Sequence, residues 1–252
     1  MHFFRRILQI IQKPFRRKRS IQFSKKQKEY AMPQNAHVLC PPSIKDHKIQ
    51  FLAPGEKTIE KFSLKQFEQI TRLQYLQQLE FKDQKTFKEV QTQCLKALNS
   101  SLIDEEHQWL GIFHAEQIQQ NYIANVSIRW INEEIGYGLF AENHIKAWEF
   151  LGEYTGVVRK RNHFFRNIND YCFSYPTSVL YFKKHTIDAE NKGNEMRYAN
   201  HSDIPNSESI SVLHNGILHV IIRAIKDIPL GQQITYDYTD IYWQSRIKIP
   251  NP

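Results

Sequence analysis

Apolar residues recur every three to four positions between residues 62 and 120, then alternate with polar ones from Asn125 onward. The first spacing lines one side of a helix; the second lines one face of a strand. Ser63 and Gln66 have capping-box spacing ahead of Phe67, Ile70, Leu73, Leu76 and Leu79. A second helix over 86–98 gathers Phe87, Val90, Cys94, Leu95 and Leu98. A third over 104–119 turns Trp109, Leu110, Phe113 and Ile118 inward. The simplest assembly is a helical hairpin or three-helix unit packed on the segment that follows. His107 and His114 share one helical face without an acidic or Cys partner at ligand spacing, which suits packing or surface roles.

Beyond Asn125 the pattern predicts short strands over 126–131, 139–141, 153–158, 171–175, 179–182, 217–224 and 233–238. Asn215-Gly216 is a two-residue hairpin turn between 212–213 and 217–224. Many short strands at close spacing indicate small sheets, and no helical crossover accompanies Gly136-Tyr137-Gly138, so that triplet reads as a turn or a ligand contact and not as a dinucleotide fingerprint. The fold class is therefore α+β: a helical region, 62–124, ahead of a β-rich domain, 125–238, with a tail at 239–252. Residues 31–61 carry Pro33, Pro41, Pro42 and Pro54 without a clean period and read as a linker or irregular wrap.

One stretch fits neither period. Residues 188–206 hold Asn191, Asn194, Asn200 and Asn206, Gly193 and Pro205, with Met196-Arg197-Tyr198-Ala199 set among them and His201 following. On these residues alone it is either a binding-site loop or a long solvated connection.

Charge changes the picture at one end. Residues 1–30 contain ten Lys or Arg and one acid; the other 222 residues hold 24 bases and 25 acids, so the net +8 belongs to the N-terminal arm. Phe4, Ile7, Leu8, Ile11 and Phe15 would give that arm a short amphipathic helix, kinked or ended at Pro14, and Arg16-Arg17-Lys18-Arg19 is a compact basic cluster. Nucleic acid, an anionic membrane surface, nuclear import, or no specific partner all suit it. The apolar stretch 7–11 is too short for a secretory signal, and no apolar run approaches a membrane span. Cys40, Cys94 and Cys172 lie far apart, which fits neither a zinc cluster nor a disulfide framework. Twelve Tyr and sixteen Phe suit a lined channel, although core packing is their commoner use.

Four segments occur in one order: Gly136-Tyr137-Gly138-Leu139-Phe140-Ala141, Gly152-Glu153-Tyr154-Thr155-Gly156, Arg197-Tyr198-Ala199-Asn200-His201-Ser202 with Pro205-Asn206, and Gly231-Gln232-Gln233-Ile234-Thr235-Tyr236-Asp237-Tyr238. Together they resemble the SET domain of protein-lysine methyltransferases over 125–238. The helical region leading into 126–131 is similar, more softly, to that of chlamydial SET proteins. The resemblance implies small β-sheets around a pseudoknot, with S-adenosylmethionine on one face and the substrate lysine entering by a narrow channel from the other. It implies that Tyr238 is the catalytic tyrosine and that Tyr236, Tyr154 and Tyr171 wall the channel, Tyr236 limiting the product to one or two methyl groups. It further implies cofactor contacts from Gly136, Tyr137, Gly138, Arg197, Asn200, His201 and Tyr238. Many relatives carry a trailing Cys cluster that binds zinc; residues 239–252 have no cysteine, so no zinc is expected, and Trp243 or Tyr242 is available to close over the adenine or the channel. The implied function is lysine methylation of a histone or histone-like protein by a bacterial enzyme, in the bacterial cytoplasm or in a host cell, with the basic arm available for chromatin. The alternative is a non-enzymatic SET-like module that binds protein tails or nucleic acid.

Overall fold

A computed structural model describes residues 47–161, 169–179 and 185–243. The basic arm, and with it the amphipathic helix expected near residues 4–15, lies outside the described residues.

The chain enters as a strand. β1 (Lys48–Leu52) and β2 (Glu60–Ser63) pair antiparallel, so the stretch expected to be a linker supplies two strands in its described part. Their alternation is short and broken by Pro54-Gly55, which hid the period. β1 buries Ile49 and Phe51 and pairs in parallel with β5 (Val126–Asn132).

Helix α1 (Leu64–Thr71) begins with the expected capping box: the Gln66 backbone N–H donates to Ser63 Oγ at 3.4 Å, and the Ser63 N–H to Gln66 Oε1 at 2.9 Å. It stops at Arg72, left-handed at φ 57°, instead of running on to Leu79. There tertiary pairing overrides the helical period. Gln74 N–H donates to Asn191 O and Leu76 N–H to Gly193 O as β3 (Gln74–Tyr75) pairs in parallel with β11 (Lys192–Gly193). β4 (Glu80–Phe81) then pairs in parallel with β8 (Val157–Lys160). Helix α2 (Gln84–Asn99) is capped by Asp83, whose Oδ1 accepts from Thr86 N–H at 2.7 Å.

The third expected helix is two: α3 (Glu105–Phe113) and α4 (Ala115–Gln119), meeting at His114. α3 packs through Leu110 and Gly111 on β13 (Ser207–His214); Trp109 and Phe113, expected inward, face solvent. The cause is Gly111. A Cβ there would overlap the Leu213 carbonyl oxygen, so helix and strand approach to backbone contact and rotate Trp109 and Phe113 outward. The N-terminal region is thus no free-standing helical unit. Three parallel strand pairs stitch it into the domain that follows.

Among the described residues, that domain is built of four small sheets. One is six-stranded, in the order β12-β15-β6-β5-β1-β2, with β6 spanning Gly136–Ala141, β12 Asn200–His201 and β15 Gln233–Tyr236. A four-stranded sheet orders β4-β8-β10-β9, with β9 at Cys172–Ser174 and β10 at His185–Asp188. A three-stranded sheet orders β13-β14-β7, with β7 at Phe150–Glu153 and β14 at Ile217–Ala224. β11 and β3 form the fourth. The β13–β14 hairpin turns on Asn215 and Gly216, at φ 48° and 78°, as expected for that pair. The strand expected over 153–158 breaks at Tyr154 into β7 and β8. Val179 closes a 3-10 turn (Pro176–Val179) where a strand was expected, and 180–182 lie outside the described residues.

Gly111→Ala tests the helix–strand contact. Alanine improves helix propensity by about 1 kcal/mol, but the overlap with a backbone oxygen outweighs that gain. A net loss of roughly 1–3 kcal/mol is expected from urea unfolding.

Candidate active site

The polar stretch 188–206 folds as a ladder of very short elements. β11 leads to a 3-10 turn (Glu195–Tyr198), Ala199 and then β12. Asn194 caps the turn: Met196 N–H donates to its Oδ1 at 3.2 Å, and its Nδ2 donates to Glu153 O at 2.8 Å. Met196 and Ala199 are buried, so the segment is pinned to the core by apolar residues between polar ones. β12 then lies parallel to β15, Asn200 opposite Thr235 and His201 opposite Tyr236.

That pairing joins two distant stretches at one point. The Tyr238 hydroxyl donates to the Ala199 carbonyl at 2.9 Å, and the Tyr238 backbone N–H donates to His201 Nδ1 at 3.2 Å. Because Nδ1 accepts, the ring proton sits on Nε2, which donates to Asp203 Oδ1 at 3.2 Å. Ser202 N–H reaches Tyr236 O at 3.2 Å. Asn206 completes the seam: its Oδ1 accepts from Thr235 N–H at 2.9 Å and its Nδ2 donates to Gln233 O at 2.7 Å. Asn206 belonged to the motif, but its backbone-bracing role was not readable before the partner strand was known.

The tyrosines gather here. Tyr236 and Tyr238 have ring centroids 4.8 Å apart, and Tyr242, on the short helix α5 (Thr239–Trp243), lies 4.6 Å from Tyr238. Trp243 sits 5.0 Å from His201 and stacks over Tyr238 at 6.1 Å. Tyr154 is buried; its hydroxyl donates to the Tyr171 carbonyl at 2.8 Å and its ring packs on Phe173 at 5.5 Å. Tyr171 itself is partly exposed. Burial pushes the phenols of Tyr154, Tyr236 and Tyr238 well above the usual tyrosine range, so all three remain neutral and able to donate.

The expected cofactor residues fall into two groups. Asn200 Nδ2 donates to the Tyr137 carbonyl at 3.1 Å, which brings Asn200, His201 and β6 together. At Gly138 a Cβ would sit 2.7 Å from Ile131 Cδ1 and 2.8 Å from Gln233 Nε2, so a larger residue would have to push both side-chain ends aside, and Gly136 is left-handed at φ 79°. Tyr137 contributes its backbone; its ring belongs to a cluster with Phe51 and Trp130, each 5.1 Å away. Arg197 stands apart, its guanidinium 3.6 Å over the Tyr171 ring and Nη2 3.4 Å from Glu190 O.

Two buried polar atoms around this junction, Gln233 Nε2 and Trp243 Nε1, have no hydrogen-bond partner among the described residues, and Arg197 Nε, beside Tyr171, has none either. Buried donors are normally satisfied. Unspent donors beside stacked aromatic rings leave hydrogen-bonding capacity for a bound ligand.

Within this α+β fold of small sheets, Asn200-His201 lies beside Tyr236–Tyr238. Residues 136–239 match the family model described as SET domain. Among curated proteins, the chain is 31% identical over 128 residues to a variant-silencing SET domain-containing protein of Plasmodium falciparum. It is 34% identical over 130 residues to the putative histone-lysine N-methyltransferase ASHH4 of Arabidopsis thaliana and 36% identical over 115 residues to histone-lysine N-methyltransferase Set2 of Drosophila melanogaster. These matches cover 48%, 48% and 42% of this chain, and 5%, 35% and 5% of the relatives' own lengths. Among the described residues no helix is long and apolar enough to cross a membrane.

The buried phenols tie stability to alkaline pH. Tyr75, Tyr154, Tyr175, Tyr236 and Tyr238 all titrate higher when folded than unfolded. Their contribution is complete below the unfolded value of about 10 and is lost as pH rises through the folded values, because the unfolded chain releases those protons first. Urea midpoints measured from pH 9 upward should fall beyond pH ~10, and Tyr236→Phe should make that fall shallower.

Proposed function

We propose that this chain is an S-adenosylmethionine-dependent protein-lysine N-methyltransferase whose substrate is a histone or a histone-like protein. The observation that carries the reading is the junction at which Tyr238 bonds both Ala199 O and His201 Nδ1 while Tyr236 packs beside it. The histone-lysine methyltransferase names of the Arabidopsis and Drosophila relatives support the substrate class.

In this reading, the backbone at Gly136–Gly138 with Asn200, His201 and Arg197 holds the cofactor, and Trp243 covers it. The cofactor supplies an electrophilic methyl group on a sulfonium. The chain supplies position and environment. Tyr154, Tyr171, Tyr236 and Tyr238 wall a channel that excludes water and disfavours a charged ammonium, so the lysine amine is held neutral, although its free form titrates near about 10.4. Neutral phenols then orient the amine lone pair along the transfer axis, and the Ala199 carbonyl fixes the Tyr238 ring. Tyr236 narrows the channel and limits the product to one or two methyl groups. The basic arm holds the enzyme to anionic chromatin through a salt-dependent attraction. A bacterial origin and secretion into a host rest only on the softer resemblance of the helical region.

The test is transfer of labelled methyl from S-adenosylmethionine to core histones, followed by mass spectrometry of proteins modified in a lysate. Label should appear on lysine. Tyr238→Phe should lower the rate roughly 10²-fold or more while the folded spectrum is kept, and Tyr236→Phe should shift the product toward trimethyl-lysine. No transfer to any lysine-rich protein, with Tyr238→Phe behaving as wild type, would leave the non-enzymatic binding module standing. Removing residues 1–30 should flatten the salt dependence of nucleic-acid binding and spare cofactor binding.

A further inference from the structure

The outer face of α3 is apolar where solvent should be. Trp109, Ile112 and Phe113 are 58%, 64% and 58% exposed, yet α3 already buries Leu110 and Gly111 on β13. A helix apolar on both sides is normally covered on both. Trp109 and Phe113 stack at 5.1 Å with their planes 15° apart, so the two rings form one continuous aromatic ridge. The surface continues inward: Phe113 meets buried His114 at 4.8 Å, and His114 meets Phe150 at 5.3 Å. Tyr122, also exposed, meets Phe150 from the other side at 6.1 Å. The backbone contact at Gly111 leaves α3 no room to roll these side chains inside.

Along the sequence the charge at this face is one-sided; in space one base, Arg223, lies near His114 and is paired with Glu208 at 2.7 Å. Residues 97–128 contain no lysine or arginine, in a chain of 252 that has 34, but they hold Asp104, Glu105, Glu106 and Glu116. Glu105, Trp109, Ile112, Phe113 and Glu116 follow one another along the exposed side of α3 and α4. The aromatic stripe therefore has carboxylates at both ends and no base beside it in sequence. That arrangement repels nucleic acid and anionic membranes. It complements an apolar stripe flanked by cations.

We propose that the outer face of α3 is a docking surface for a basic amphipathic helix of a partner protein. The partner's apolar side packs on Trp109, Ile112 and Phe113, and its basic residues reach Glu105, Glu106 and Glu116. Aromatic anchors supply most of the affinity at such a surface, and the acidic rim steers approach. The surface is separate from the Tyr238 junction and does not depend on methyl transfer.

The probe is a fluorescent synthetic helix of about 18 residues, five turns, with leucine on one face and arginine on the other. Arginine replaces lysine so that the peptide cannot enter as a methyl acceptor. The full chain should bind it, and a leucine–glutamate peptide of the same pattern should not bind. Trp109→Ser with Phe113→Ser should weaken binding at least tenfold without changing the circular dichroism spectrum or cofactor binding. Glu105→Gln, Glu106→Gln and Glu116→Gln together should flatten its salt dependence. Failure of the full chain to bind, equal binding by the Trp109/Phe113 variant, or equal binding of the glutamate peptide overturns the proposal. So does self-association of the full chain that the same variant abolishes, which would assign the face to a second copy.

Discussion

Two residues of parallel ladder hold the site together. β12 and β15 pair only at Asn200–Thr235 and His201–Tyr236, too little backbone bonding to be stable alone. The seam holds because side chains extend it: Asn206 bonds Thr235 and Gln233, His201 accepts from Tyr238, and Tyr238 returns to Ala199. The same bonds that join the two segments also set the positions of Asn200, His201 and Tyr238. Fold and site are one constraint here.

The N-terminal region supports that constraint from outside. β3 pairs with β11 directly before the 3-10 turn that leads to Asn200. The Tyr75 hydroxyl donates to Glu195 Oε2 at 2.7 Å, and His47 Nε2 lies 2.7 Å from Glu195 Oε1. Glu195 is buried, so its carboxylate would be costly without both partners. On the other flank, Arg159 Nε donates to Asp188 Oδ2 at 2.7 Å, anchoring the start of the same stretch. The segment leading to the motif is thus clamped at both ends by residues far away in sequence.

Much of this was legible beforehand, for physical reasons. The Ser63–Gln66 capping box and the Asn215-Gly216 turn are local, so spacing alone located them; the caps at Asp83 and Asp104 emerged with the structure. The early stop of α1 at Arg72 was not legible, because its cause is a strand pairing with residues near 192. Trp109 and Phe113 were misplaced because helical periodicity shows which residues share a side but not which side faces the core. Gly111 carried that information, since a glycine inside a helix often marks close backbone contact. At the site, the structure brings Asn200, His201 and Tyr238 together. Arg197 behaves differently: it packs on Tyr171, a contact that sequence distance conceals.

On the proposed function, the chain around Asn200-His201 and the chain around Tyr236–Tyr238 respond to the cofactor as one unit. Backbone hydrogen exchange, read residue by residue with and without S-adenosylmethionine, addresses it directly. The account predicts that amides within 199–206 and 233–238 slow together, with the same dependence on cofactor concentration. Protection of one stretch without the other, or no change in either at saturating cofactor, would contradict it.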